Sequence, residues 1–218
     1  MADAGVAAGE LVVDVGAGSG MLTAALLATG ARVVAIEPDR RLAARLRRAC
    51  PAADVVEADA LLLPWPREPF RVVANLPFGR AAEICRSLLG DPRLPLRSAD
   101  LIVEWDLAAK RARLWPSTAQ TVLWSAWYEL AVVRRLEPRA FTPVPSVAAG
   151  VLRAARRRVP LVQPCDAARF ERFVRSGFRA GSRARERDPH AWALLFEEQE
   201  SSASARTVTP TTRRGRIR

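Results

Sequence analysis

Short β-branched runs alternate with helical patterns along most of this 218-residue chain, and that alternation constrains the fold more than any other feature. Residues 10–15 form an apolar run ending in Asp14-Val15. It opens into Gly16-Ala17-Gly18-Ser19-Gly20, after which residues 21–27 read as a helix. Residues 31–36 give a second strand, and Asp39 is placed to cap a helix carrying Leu42, Ala43 and Leu46. Residues 54–57 and 70–74 supply two further strands, the latter running directly into Asn75. A helix over 81–89, a strand over 101–104 and a helix over 107–114 follow. Residues 130–136 and 147–154 read as a closing antiparallel pair, and Pro143 and Pro145 keep the loop between them out of any ladder. The alternation predicts an α/β fold with a mostly parallel sheet covered on both faces.

In sheets of that kind ligands bind at the carboxyl ends of the strands, beside the switch in strand order. The glycine run, Glu37, Asp59 and Asn75-Leu76-Pro77-Phe78 all fall at such ends. The run is spaced G-x-G-x-G, and Met21 stands where a dinucleotide-binding pattern has its third glycine. Gly16, Gly18 and Gly20 therefore suit close backbone approach by a nucleoside-containing methyl donor, which has no pyrophosphate to seat; a tight turn without ligand is the alternative. Glu37 can accept both ribose hydroxyls or be a solvated loop acid beside Pro38. Asp59 can accept the donor's adenine amino group or cap a turn. Asp14 can hold the glycine turn or meet the donor's ammonium.

Asn75-Leu76-Pro77-Phe78 carries the chemistry of the acceptor. The nitrogen of an adenine amino group is a poor nucleophile because its lone pair is delocalised into the ring. The Asn75 side-chain oxygen and the Leu76 carbonyl can accept its two N–H bonds, which favours a pyramidal nitrogen and exposes the lone pair. Phe78 offers a face to a base that has left its helix or was already unpaired. The plainer alternative is an Asn-Pro turn closing a strand over a core aromatic. No strong base is needed, which suits a chain whose only histidine is His190.

Composition excludes several other classes. Cys50, Cys85 and Cys165 are far apart and lack C-x-x-C spacing, so neither a disulfide framework nor a zinc site is expected, and no metal. No apolar stretch approaches the ~18 residues that cross a bilayer, and no charged-then-apolar leader is visible, so a soluble cytoplasmic protein without membrane contact is expected. The formal net charge of +11 favours a polyanionic partner. Lys110 is the sole lysine, however, and an arginine-biased composition raises charge without functional demand, so placement of the arginines matters more than their number. Arg156-Arg157-Arg158 and the arginines between 169 and 179 are the candidate RNA surface or a solvated face; Trp115, Trp124 and Trp127 read as core.

The character of the chain changes after Arg158. Phe170, Phe173, Val174 and Phe178 fall at helical spacing with arginines off that stripe, and residues 188–200 read as another helix. From Ser201 the chain is Ser/Thr/Arg-rich and reads as a basic disordered tail. The expected organisation is a catalytic domain over 1–158, a small helical C-terminal domain over 159–200 and a tail over 201–218.

With these residues laid out, the chain resembles the rRNA adenine N6-methyltransferase family, and within it the Erm-type branch acting on 23S rRNA. The resemblance lies in residues 12–20, in Val56-Glu57-Ala58-Asp59-Ala60, in Val72-Val73-Ala74-Asn75-Leu76-Pro77-Phe78, in Phe141-Thr142-Pro143-Val144-Pro145-Ser146-Val147 and in residues 169–175. It implies a Rossmann-like S-adenosyl-L-methionine-dependent methyltransferase core with a small helical C-terminal domain. It also implies N6-methylation of one adenine in the peptidyl-transferase region of 23S rRNA by a monomer, with macrolide, lincosamide and streptogramin B resistance. Asp14, Gly16, Gly18, Gly20, Glu37, Asp59 and Asn75 form the expected donor set, and Asn75, Leu76, Pro77 and Phe78 the catalytic motif. The rivals are the related branch that dimethylates 16S rRNA, which usually carries Tyr at the position of Phe78, and a non-catalytic RNA-binding relative. Members of the family carry a lead-in with a Gln-x-Phe-Leu segment before the first strand. Here that strand begins almost at Met1, so a truncated or misassigned start, with weakened donor binding, is expected.

Overall fold

Seven strands form one mixed sheet in the computed structural model, which describes residues 4–113, 118–141, 144, 146–181 and 186–207. The strands are β1 (Leu11–Val15), β2 (Arg32–Ile36), β3 (Asp54–Val56), β4 (Phe70–Asn75), β5 (Leu96–Glu104), β6 (Tyr128–Leu136) and β7 (Ala149–Arg156). Their order is β3-β2-β1-β4-β5-β7-β6; β1 to β5 pair in parallel, and β7 runs antiparallel to both β5 and β6. The chain leaves β1 toward β2 and β3 on one side and returns to β4 on the other. The loops after β1 and β4 are thus neighbours at the switch in strand order, where such sheets bind ligands.

Two-residue periodicity builds the layers. Val13 and Val15 of β1 enter the large core with Val72 and Ala74 of β4, while Val12 and Val73 face the opposite layer with Leu26 and Val33. The helices are α1 (Met21–Leu27), α2 (Arg40–Ala49), α3 (Phe78–Gly90), α4 (Trp105–Arg111), α5 (Ala119–Ser125), α6 (Ala167–Ala180) and α7 (Pro189–Thr207). Asp39 caps α2 as expected, accepting from the Arg41 and Leu42 N–H groups at 2.8 and 2.9 Å, a cap worth about 1 kcal/mol. Leu76, Leu88, Leu96 and Leu101 are fully buried in the large core, each contributing roughly 1.5–3 kcal/mol.

The helices after residue 158 share that core. Phe170 of α6 meets Trp127 edge-on at 6.2 Å and Phe196 of α7 at 5.4 Å, and Trp127 Nε1 donates to the Val162 carbonyl at 2.8 Å. Phe170, Val174, Trp192 and Phe196 are all buried in the cluster that also holds the sheet residues Val13 and Leu101.

Several boundaries differ from the sequence expectation. Helix α3 begins at Phe78 rather than 81, because Pro77 stands at its N-cap with φ −62° and Phe78 turns directly into helix. Strand β5 begins at Leu96; Arg97 and Asp100 break its apolar run, but pairing with β4 and β7 on both sides extends it. Helix α5 was not expected at all. It is short and buried from Thr121 to Ser125, a pattern that resembles a core strand, and the Thr121 N–H starts it by donating to the capping Thr118 Oγ1 at 3.3 Å. Helix α7 runs to Thr207, past the Ser201 where the tail was expected to begin. Ala203, Ala205 and Arg206 are good helix formers, and Ser202 Oγ donates to the Glu198 carbonyl instead of breaking the helix. The rest of that tail, Trp115, and Thr142, Pro143 and Pro145 of the expected loop lie outside the described residues. Among the described residues no helix is long and apolar enough to cross a membrane, and no three metal-ligating side chains cluster.

Candidate active site

At the carboxyl end of β1 the chain turns sharply through three glycines. Gly16, Gly18 and Gly20 have φ of +72°, +57° and +88°, the left-handed region that only glycine enters cheaply. The turn is clamped to the end of β2: the Gly16 and Ala17 N–H groups both donate to the Ile36 carbonyl, at 2.8 and 3.2 Å. A Cβ on Gly16 would lie 3.3 Å from Pro77 Cδ and 3.6 Å from the Asn75 carbonyl oxygen. The glycine turn and the Asn75–Phe78 segment, far apart in sequence, are therefore packed against each other with room for a hydrogen and little more.

Glu37 is buried rather than a solvated loop acid. Its Oε2 accepts from the Gly18 N–H at 2.8 Å and its Oε1 from the Asp39 N–H at 2.9 Å. One carboxylate thus braces the glycine turn and the entry to α2, and each oxygen keeps a second lone pair for a ligand hydroxyl. Asp14, at 1% exposure, reaches across the glycine turn to the helix that follows it: its Oδ2 accepts from Thr23 Oγ1 at 2.7 Å. Its Oδ1 is buried without a hydrogen-bond partner among the described residues. Burial pushes its pKa up to about 6, against the Thr23 hydrogen bond, with the negative charge of Glu37 adding to the rise.

Asp59 takes the turn-capping role of the two possibilities left open for it, and its second oxygen is engaged as well. It caps the short 3₁₀ turn Ala60–Leu62, with Oδ1 accepting from the Leu61 N–H at 3.0 Å. Its Oδ2 accepts from Arg80 Nη2 at 3.1 Å, and Arg80 Nε donates in turn to Glu83 Oε2 at 3.0 Å. The Leu61 N–H, followed by the Arg80 guanidinium, holds the Asp59 carboxyl below its ordinary range despite some opposing desolvation.

Asn75 is the last residue of β4 and is exposed; Leu76 beneath it is buried, with its N–H donating to the Ile102 carbonyl of β5 at 3.1 Å. The switch from strand to helix within Asn75–Phe78 leaves Phe78 half-buried at the start of α3, edge-on to Phe141 with centroids 6.5 Å apart and planes at 74°. Every expected site residue therefore lies on one edge of the sheet. Direct contacts join Gly18 to Glu37, Gly16 to Pro77, and Asp59 to the helix that begins at Phe78.

Sequence reasoning missed three contributors: Thr23, Arg80 and the contact of Phe141 with Phe78. Phe141 heads the proline loop, so an aromatic at that point was a visible signal. Arg80 offered only its spacing to Glu83.

The expected arginine surface is largely spoken for. Arg156 donates to the carbonyls of Leu96, Pro92 and Leu94 and to the Tyr128 hydroxyl, with its guanidinium over the Tyr128 ring. Arg157 donates to the Ser125 carbonyl, Arg169 pairs with Asp166 and Glu200, and Arg175 pairs with Glu171. Arg156, Arg157 and Arg169 join different elements and Arg175 spans one turn of α6, whereas no such pairing is seen for Arg158, Arg172 and Arg179 among the described residues. Trp124 and Trp127 are core, as expected.

Comparison with known proteins is consistent with this geometry. The rRNA methyltransferase of Streptomyces thermotolerans is 40% identical over 176 residues, covering 78% of this chain and 58% of that protein. The chain thus spans little more than half the length of that relative. The ribosomal RNA small subunit methyltransferase A of Synechococcus sp. (strain JA-2-3B'a(2-13)) is 34% identical over 204 residues, covering 88% of this chain and 70% of the relative. The crystal structure of the 23S rRNA methyltransferase ErmE superposes with a TM-score of 0.75 at 26% identity, covering 91% of this chain and 94% of that one. The profile of the family described as ribosomal RNA adenine dimethylase matches residues 3–185. With a match over most of its length and the fold to go with it, the chain belongs to the ribosomal RNA adenine dimethylase family.

Proposed function

We propose that this chain is an S-adenosyl-L-methionine-dependent methyltransferase acting on N6 of an adenine in 23S rRNA. The observation that carries the reading is the packing of Gly16 against Pro77 and the Asn75 carbonyl, which brings a donor loop and an amino-group-accepting motif together at the strand switch.

The residues present fit the donor. Asp14 Oδ1, buried and unpartnered, is an acceptor in want of a cation such as the donor's ammonium. Gly16, Gly18 and Gly20 give a side-chain-free wall, Glu37 has lone pairs for the ribose hydroxyls, and Asp59 for the adenine amino group. When bound, the donor supplies an electrophilic methyl group on a positively charged sulfur. The Asn75 side chain and Leu76 carbonyl accept the two N–H bonds of the target amino group and expose its lone pair. Phe78, steadied by Phe141, receives the base, which reaches the site unpaired or flipped. Exposure of Asn75 at the sheet edge leaves the motif open to a large substrate.

Membership of the Erm-type branch, implied by Phe78 and by the likeness to ErmE, points to 23S rRNA. It also points to resistance to macrolides, lincosamides and streptogramin B. The protein would then work as a cytoplasmic monomer on ribosomal RNA. The likeness to a small subunit methyltransferase over 88% of the chain favours 16S rRNA as the second reading.

Transfer of label from S-adenosyl-L-methionine to protein-free 23S and 16S rRNA, with the modified base mapped by primer extension, separates the two. A stop at one adenine of the 23S peptidyl-transferase loop is expected, and label confined to 16S would move the assignment to the small subunit. Asn75→Ala should abolish transfer while leaving donor binding in place; retained turnover would remove Asn75 from the chemistry. Donor binding without transfer to either RNA would leave a non-catalytic binding protein.

A further inference from the structure

We propose that Arg80 is a positioning residue for the donor site: it holds the Asp59 carboxylate as an oriented acceptor and so makes the site selective for a 6-aminopurine. The inference rests on the donor reading given above.

Asp59 lies in the connection after β3, with its side chain about one-third exposed, and among the described residues two side-chain hydrogen bonds fix it. The Leu61 N–H is the first. By itself it would leave the carboxylate free to turn about that bond, with the second oxygen in water. Arg80 Nη2 takes that second oxygen at 3.1 Å, and Arg80 is itself fixed by Glu83 Oε2 at 3.0 Å, three residues on along α3. The anchor is stiff because α3 starts directly from the buried end of β4, where Leu76 is pinned to Ile102. Arg80 therefore ties a loop acid on the donor side to the helix that carries Phe78 on the acceptor side.

Charge decides between this role and the usual one for an arginine at an RNA site. Asp59, Arg80 and Glu83 together carry one net negative charge, so the guanidinium is already neutralised twice over and attracts a phosphate poorly. What the cluster offers a ligand is acceptor capacity. The same two donors also hold the Asp59 carboxyl below its ordinary range, which keeps it an acceptor at working pH. A carboxylate held in that state receives an N–H donor such as the 6-amino group of adenine and opposes a 6-oxo group, whose oxygen would face it as a second acceptor.

The test is binding of S-adenosyl-L-homocysteine and of its 6-oxo analogue, S-inosyl-L-homocysteine, measured by titration calorimetry on the full chain. Wild type should prefer the amino compound by about tenfold or more. Arg80→Ala should weaken the amino compound about two- to fivefold and spare the oxo compound, so that the preference falls by a similar factor. Arg80→Lys, which keeps the charge but offers one donor group, should recover part of the preference. In an Asp59→Asn background, Arg80→Ala should change nothing further. Equal weakening of both compounds, or an unchanged preference, would overturn the proposal and leave Arg80 a helix-start residue. If wild type binds neither compound, the donor reading itself fails and this inference with it.

Discussion

Replacing Gly16 by alanine separates two effects that a glycine in a binding loop usually confounds. At φ +72° an alanine costs about 1–2 kcal/mol of backbone strain wherever it stands. The new Cβ would also sit 3.3 Å from Pro77 Cδ and 3.6 Å from the Asn75 carbonyl oxygen, and that side must yield by a few tenths of an ångström. Gly18→Ala supplies the control, with φ +57° and nothing nearer than the Gly16 carbonyl at 3.9 Å. Both variants should lose about 1–2 kcal/mol of stability, a fall in Tm of roughly 2–4 °C per kcal/mol for a chain of this size. Only Gly16→Ala should disturb the position of Asn75. If a misplacement of ~1 Å costs on the order of a hundredfold in rate, a few tenths should cost about three- to fivefold. The assay is single-turnover methyl transfer at saturating donor and rRNA, so that donor affinity drops out of the rate. Equal loss of rate in the two variants, or an undiminished rate in Gly16→Ala, would refute the idea that the turn positions the motif.

Asp14 gives a pH prediction. Its folded pKa of about 6 lies above the unfolded value, so on acidification the native state takes up the proton first. Ionised Asp14 therefore costs stability above about pH 6, and the cost fades as pH falls toward 4, a difference of roughly 3 kcal/mol. Asp14→Asn keeps an acceptor for Thr23, so in urea unfolding it should be the more stable form at pH 7.5, and the gap should close by pH 4; a gap independent of pH would contradict the burial argument. Donor affinity in wild type should rise as pH passes upward through 6, because the ammonium partner is the ionised form. Arg156→Ala should cost about 1.5–3 kcal/mol, since it removes charged hydrogen bonds to three part-buried carbonyls, yet leave the salt dependence of rRNA binding unchanged. A shallower salt slope would mean that Arg156 meets phosphate after all. Gly177→Ala places a Cβ 2.4 Å from the Trp192 ring and should cost about 1–3 kcal/mol by prising α6 from α7, seen as a red-shifted tryptophan emission and a lower urea midpoint. An unchanged midpoint would show that Trp192 has room to swing aside.

Much of the architecture was readable without coordinates, because its signals are local. The β-branched runs, the glycine turn and the Asp39 cap each depend on residues within a few positions of one another, and the turn and the cap fall where the sequence placed them, while every expected strand exists with some of its bounds shifted. The misses have one cause as well. Helix α5 is only seven residues long and its last five are all buried, so no helical period shows, and β5 extends over a polar stretch only because partners flank it on both sides. Of the expected site residues, those with backbone reasons for their identity were the most legible. Gly16, Gly18 and Gly20 all have positive φ, and Pro77 starts α3.

What the sequence determined by itself was therefore the set of strands and turns, and with it the edge of the sheet on which the candidate residues must lie. Which partner each charged group would find was decided by tertiary structure alone. Glu37 proved to be a buried brace for Gly18, Asp59 a carboxylate shared between Leu61 and Arg80, and Arg156 a clamp on three carbonyls. The physical reason is the range of the interactions. Backbone conformation and side-chain periodicity are set by nearest neighbours, whereas a hydrogen bond or ion pair between distant residues exists only once strand order has brought them together, and many pairings of so many arginines and acids would satisfy the composition equally well.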